Sequence, residues 1–142
     1  MSVDIRLLGR GDARVLDRVA PDVFDGPVDQ RFTKEFFADP RHHLVVALDD
    51  GVVVGMASAV HYVHPDKPRE LWINEVGVAP THQRQGIAGR ILEALLAHGR
   101  SLGCDEAWVL TEEDNASARR LYERAGGTAE RSVMYSFDLA DA

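Results

Sequence analysis

The apolar positions change period several times along the chain, and each change marks an element. Val3 to Leu8 alternates polar and apolar, the period of a half-buried strand, and Gly9 to Gly11 breaks it. Asp12 is placed to cap a helix running to about Val23, with Ala13, Leu16, Val19 and Ala20 on one face and Pro21 interrupting or ending it. Asp29 to Ala38 reads as a second helix carrying Phe32, Phe36 and Phe37, closed by Asp39-Pro40. His43 to Leu48 and Val52 to Val63 read as strands joined by a tight Asp49-Asp50-Gly51 turn, with Gly55 marking a bulge or a close approach. Glu70 to Val78 is a fourth strand. Gln85 to about Leu102 has helical spacing, with Ile87, Ile91, Leu95 and Leu102 along its apolar side and Gly103 at its end. Asp105 to Thr111 predicts a fifth strand, Asn115 to Ala125 a last helix, and Thr128 to Leu139 one or two closing strands.

The stretch with most chemical content joins the fourth strand to the long helix. Gln83-Arg84-Gln85-Gly86-Ile87-Ala88-Gly89 opens that helix, and the amides of a first helical turn have no partner within the helix. They point at a ligand and carry the positive end of the helix dipole, which suits an anion. Gly86, Ala88 and Gly89 allow close approach, and Arg84 adds a cation suited to phosphate. Together these predict a pyrophosphate site. It is not a P-loop, since Gly89-Arg90-Ile91 stands where Lys-Ser or Lys-Thr is needed, and it lacks the glycines of a dinucleotide fingerprint.

Size and charge narrow the field. At 142 residues the chain suits a single domain, 1–142, with 45% hydrophobic and 27% charged residues. A net charge of −7 argues against a broad nucleic-acid surface and favours a cationic partner. No run approaches the ~18 apolar residues of a membrane span. The opening MSVDIRLLGRGD has charges inside its apolar part and does not read as a secretory signal, so the cytoplasm is the expected address. The one cysteine, Cys104, excludes an internal disulfide and reads as structural. The six histidines show no metal-ligand spacing, so no metal is expected, and His61 and His64 read as surface residues.

Glu75 is the candidate base, because the strand around it is otherwise apolar apart from Asn74. Burial there would raise its pKa toward the range useful for taking a proton from an ammonium. Glu70 at the mouth of that strand, and the acidic loop Glu112-Glu113-Asp114, could bind a cationic substrate. Asn115 and Tyr122 lie seven apart, close to two helical turns, and project on one side of the last helix.

The Gln-x-x-Gly-x-Ala loop after a strand ending in Val78, followed by Asn115-x-x-Ala118-x-x-Leu121-Tyr122-x-x-x-Gly126, resembles the GCN5-related N-acetyltransferases. The resemblance implies a mixed α/β fold, with a central sheet of six to seven strands flanked by about four helices. It implies acetyl-CoA as cofactor, held by Val76, Val78, Gln83, Arg84, Gln85, Gly86, Ile87, Ala88, Gly89, Asn115, Ala118 and Tyr122. Val78 would lie where the strand splays open for the pantetheine amides, Asn115 would contact the pantetheine arm, and Tyr122 would protonate the leaving thiolate. It also admits a homodimer built through the C-terminal strands. Within the family, Lys67 to Val78 and His82 to Ala88 look like the type I aminoglycoside 3-N-acetyltransferases, with Gln83 replacing an Arg. The expected reaction is direct transfer to a primary amine of a cationic small molecule, an aminoglycoside foremost. A peptide or polyamine N-acetyltransferase and a non-catalytic acyl-CoA-binding module are the alternatives.

Overall fold

In the computed structural model, which describes residues 2–140, five strands form one sheet in the order β1-β2-β3-β4-β5. They are β1 (Asp4–Leu8), β2 (His42–Asp49), β3 (Val52–Tyr62), β4 (Glu70–Val78) and β5 (Glu106–Val109). The first four are antiparallel neighbours, and β5 runs parallel to β4. Three α-helices complete the fold: α1 (Gln30–Ala38), α2 (Ile87–Ser101) and α3 (Ala116–Arg124).

Local chemistry accounts for most of these elements. Asp29 caps α1 by accepting from the Arg31 amide at 2.8 Å. Asp50 and Gly51 both take positive φ, 51° and 75°, as a two-residue hairpin loop requires. Residue Val54 bulges out of β3, and Gly55 beside it does make a close approach: a Cβ there would sit 2.9 Å from the Ile91 methyl. Gly99 plays the same part on the helix, lying over Leu71. Helix α2 therefore beds directly onto the sheet, burying Ile87, Ile91, Leu92 and Leu95 against Val45, Ala57, Ala59, Leu71 and Ile73. Each such aliphatic side chain contributes roughly 1.5–3 kcal/mol.

Two expectations from the pattern fail. The first helix is only a 3-10 turn, Ala13–Asp17. Beyond it the backbone pairs with the start of β3 instead: Val53 donates to Arg18 and Ala20 donates to Val53, both at 2.9 Å. That bridge takes the amides a helix would need, and Pro21 and the positive φ of Asp22 exclude further turns. The closing strands are also absent: residues 128–139 carry no regular structure, so the sheet has five strands, not six or seven, and three α-helices, not about four.

Candidate active site

The site is organised by the way β4 and β5 part. Their ladder runs from Glu70–Glu106 to Ile73–Val109 and stops. Strand β4 continues to Val78, paired with β3 alone. On the β5 side, the backbone from Asn74 to Val78 has no strand partner, so its amides and carbonyls can bond an extended ligand. The Val78 carbonyl accepts from the Gln83 side chain at 3.2 Å. A bulge at Asn74 shifts the register next to Glu75 and re-aims the side chains there.

Past Val78, a turn at Pro80–His82 leads to the helix start. Arg84 and Gly86 take left-handed φ of 63° and 76°, and Gly86 begins α2 with no side-chain cap. The amides of Ile87, Ala88 and Gly89 open the helix, and the first helical bond is Arg90 donating to the Gly86 carbonyl at 3.2 Å. A Cβ on Gly86 or Gly89 would meet nothing within 4 Å, so space lies open before these amides. Holding Arg84 in this region costs about 1 kcal/mol, a strain that local structure must repay. Two other basic side chains beside the loop are held by partners. Arg90 donates to the Val3 carbonyl at 3.0 Å, and His82 is bonded to Asp49 at 2.6 Å. Among the described residues, that leaves Arg84 as the loop's cation without a side-chain partner.

Glu75 and Ser58 are register partners, as are Trp72 and Val60, and Glu70 and Tyr62. Alternation along β3 puts all of them on one face, opposite α2. Glu75 is exposed rather than buried, but partial desolvation, then the nearby Asp25 charge, raises its pKa above the ordinary carboxylate value. Asp25 lies on the segment 16–28, which lines an open pocket of about 480 Å³. The segment lies so close to β4 that a Cβ on Gly77 would collide with the Val23 carbonyl. Tyr122 is half-buried on α3, which packs against α2 on the other face. Burial raises its pKa, so it keeps its phenolic proton at neutral pH. Asn115 caps α3, its side chain accepting from the Ala118 amide at 3.1 Å.

The predicted carboxylates do not converge. Glu70 lies five residues from Glu75, about 17 Å along the strand, and pairs with His64 at 2.6 Å. Glu112, Glu113 and Asp114 line a separate open groove beyond β5, and Glu113 is paired with Arg131 at 2.9 Å. His61 is not a surface residue. It is buried on the α2 face, its Nδ1 2.7 Å from His43 Nε2, while His98 reaches His43 Nδ1 at 3.0 Å. Sequence reasoning missed Asp25, Glu106 and the aromatic pair Trp72–Trp108, stacked at 5.1 Å with Trp108 donating to the Tyr62 hydroxyl. The parallel register of β4 with β5, invisible in the sequence, brings Glu106 and Trp108 beside Glu70 and Trp72, and the packing of the 16–28 segment against Gly77 brings Asp25 to Glu75.

Parallel strands that part, with an uncapped helix start after the first, leave unpaired backbone groups along one line. The model of the acetyltransferase (GNAT) family matches residues 14–127, and the chain belongs to that family: it is an acetyltransferase. The N-alpha-acetyltransferase RimI of Mycobacterium tuberculosis is 29% identical over 126 residues, covering 87% of this chain and 77% of that protein. Among solved structures, an aminoglycoside acetyltransferase, meta-AAC0020, from an uncultured soil metagenomic sample superposes with a TM-score of 0.81 at 20% identity, covering 96% and 95% of the two chains. The aminoglycoside acetyltransferase AAC(6')-Iy, bound to a bisubstrate analogue of CoA and acetylneamine, gives 0.77 at 21%, covering 97% and 99%.

Proposed function

We propose that this acetyltransferase moves the acetyl group of acetyl-CoA directly to a primary amine of a cationic small molecule of the aminoglycoside type. The observation that carries the reading is the gap between β4 and β5, with Glu75 on one face of the sheet and Tyr122 on the other. The diphosphate lies on the amides of Gly86 to Gly89, with Gln83, Arg84 and Gln85 around it. The pantetheine arm bonds the free edge at Val76 and Val78 and passes Asn115 and Ala118. The thioester then sits in the gap. Glu75, directly or through water, takes a proton from the acceptor ammonium. The freed amine attacks the acetyl carbonyl, and a β4 amide near Val78 stabilises the oxyanion. The tetrahedral intermediate collapses and the carbon–sulfur bond breaks; Tyr122 gives its proton to the thiolate and regains one as the amide nitrogen sheds its second proton through solvent.

The acceptor approaches from the face of Glu75. Glu70 and Glu106 stand opposite each other there across adjacent strands, a repulsive placement. A polycation relieves it, and the Trp72–Trp108 stack offers a flat surface to an amino-sugar ring or an ammonium. Glu112, Glu113 and Asp114 supply a further acidic patch beside the groove beyond β5. The sequence resemblance points to the 3-N amine, whereas AAC(6')-Iy carries a 6' designation, so the acylated position is read from the product. The similarity to RimI supports a second reading, a peptide N-terminal amine as acceptor.

Thiol release from acetyl-CoA, measured over aminoglycosides, polyamines and basic peptides, tests the reading. Turnover confined to polycationic amines is expected, and turnover confined to peptides transfers the assignment to the second reading. With an accepted amine, Glu75→Gln lowers kcat/KM by roughly 100-fold or more and Tyr122→Phe by about 10- to 100-fold. Values within about threefold of the wild type for both would remove their roles. The raised pKa of Glu75 sets the sign of the pH profile: activity falls on acidification through a value above 4.5.

A further inference from the structure

Strand β4 does not keep one alternation throughout. Leu71 and Ile73 are buried under α2, and unbroken alternation would send Glu75 to the same face. The register prevents this: Ile73 pairs with Ala59, but Glu75 pairs with Ser58, so Asn74 is an extra residue on β4. Past it, Val76 and Val78 take up the α2 face, opposite Ala57 and Gly55. One added residue therefore turns a carboxylate out of the core and sets it directly across from a serine.

That serine is out of keeping with its strand. From Val52 to Val60, β3 is otherwise Val, Gly, Met and Ala. The two polar residues further on have partners, His61 on His43 and Tyr62 on Trp108, whereas among the described residues no side-chain hydrogen bond takes up the Ser58 hydroxyl. On its other side Ser58 pairs with Leu44 of β2, which is buried and offers a hydroxyl nothing. Ser58 is half-buried, while Ala57 and Ala59 beside it are wholly buried on the α2 face. A half-buried hydroxyl without a partner costs free energy that a water or a ligand can recover. Directly opposed residues of an antiparallel pair have Cβ atoms about 4.5–5.5 Å apart. Ser58 Oγ and the Glu75 carboxylate can therefore close on one shared hydrogen bond or one bridging water. The charge acting on Glu75 from outside the sheet is Asp25, on the segment packed over Gly77.

We propose, resting on the reading of Glu75 as the base, that Ser58 is the positioning residue for the acceptor: its hydroxyl, opposite Glu75 across β3 and β4, fixes the amine or the water through which Glu75 takes its proton. Ser58 keeps its own proton throughout. It donates that hydrogen to the Glu75 carboxylate, and its lone pair accepts an N–H of the ammonium or an O–H of the bridging water. The proton that moves goes from the ammonium to Glu75. The acceptor nitrogen is thus held on two sides before transfer, and loss of the hydroxyl loosens its geometry. The same bond favours the charged carboxylate, so its loss raises the pKa of Glu75 further.

Ser58→Ala and Ser58→Thr are compared with the wild type in thiol release at saturating acetyl-CoA, with the fastest acceptor among aminoglycosides, polyamines and basic peptides. The alanine variant melts as the wild type does and loses about 10-fold in kcat/KM. Its activity falls on acidification at a pH higher by about half a unit or more. The threonine variant, which keeps the hydroxyl, recovers both. Carboxyl carbon-13 titration of Glu75 by NMR, with no acceptor present, shows the same upward move in Ser58→Ala. Adding Ser58→Ala to Glu75→Gln costs under about twofold more, because the two residues act as a unit. A folded alanine variant within about threefold of the wild type, with the Glu75 titration unmoved, overturns the proposal. So does a folded threonine variant as impaired as the alanine one. A Glu75→Gln enzyme that keeps wild-type turnover overturns the reading of Glu75 as the base, and the proposal with it.

Discussion

The two sides of the β4–β5 boundary are built differently. From His42 to Gly103, alternate residues of three antiparallel strands and one stripe of α2 close over each other, and Val45, Ala57, Leu71, Ile91 and Leu95 are wholly buried. Among the described residues from Asp105 onward none is buried, and Val133, Met134, Tyr135, Phe137 and Leu139 face solvent. The first region folds on its own contacts. The second holds its shape through the short parallel ladder, the Asn115 cap and a few glycine turns. The cofactor gap proposed above lies on the seam: the rigid strand would supply one wall with its backbone groups fixed, and the looser wall would part to admit a pantetheine arm. Functional sites draw on weakly held elements of this kind.

The contrast can be broken at several points. The largest effect falls within the closed region. Ile91→Ala, with its side chain fully buried between Gly55 and the helix, lowers unfolding free energy by about 2–5 kcal/mol in a denaturant titration. A loss under about 1 kcal/mol would mean that this core is not closed.

Next comes acid. Burial, then the neighbouring His98 and His61, pushes His43 down to about 4 from 6.5. The unfolded chain therefore binds this proton first. The stabilisation is complete above pH 6.5 and is lost as pH falls toward 4, on the order of 3 kcal/mol in all. His43→Phe flattens that slope in melts taken from pH 7 to pH 4.

A smaller effect separates folding from function at the loop. Arg84→Gly relieves the positive φ, so the melting temperature holds or rises slightly, while KM for acetyl-CoA increases about 5- to 10-fold through the lost cation. The smallest lies near the C-terminus. Phe137→Ser changes stability by under about 0.5 kcal/mol, because its side chain is exposed and touches no core.

The same boundary separates what the sequence pattern discloses from what it hides. Strands β2 to β4, the Asp50-Gly51 turn and α2 with its terminal Gly103 follow from local period and turn chemistry, which tertiary contacts reinforce there. Glu75, the Gln83-to-Gly89 loop and Tyr122 stand out as candidates because each combines an unusual residue type with a telling place along an element. The segment after Asp17 misleads because its helical spacing loses to a bridge between Val19 and Val53, 34 residues apart. The closing strands mislead for a related reason: Val133 to Leu139 has a strand's pattern but no neighbouring strand within its own chain. Glu106 and the Trp72–Trp108 stack were hidden because strand register brings them beside the predicted carboxylates, and Asp25 because the packing of the 16–28 segment on Gly77 does.

The central claim is that the first-turn amides of α2 hold the diphosphate of acetyl-CoA. Gly89 has open space beside it and ordinary helical φ, so Gly89→Asp keeps the fold while placing a carboxylate among those amides. Titration calorimetry with acetyl-CoA on the two proteins tests the claim directly. The account predicts one site per chain in the wild type and an affinity at least about 30-fold weaker in the variant, a loss of about 2 kcal/mol, at an unchanged melting temperature. An affinity unchanged within about threefold, in a variant that is fully folded, would contradict it.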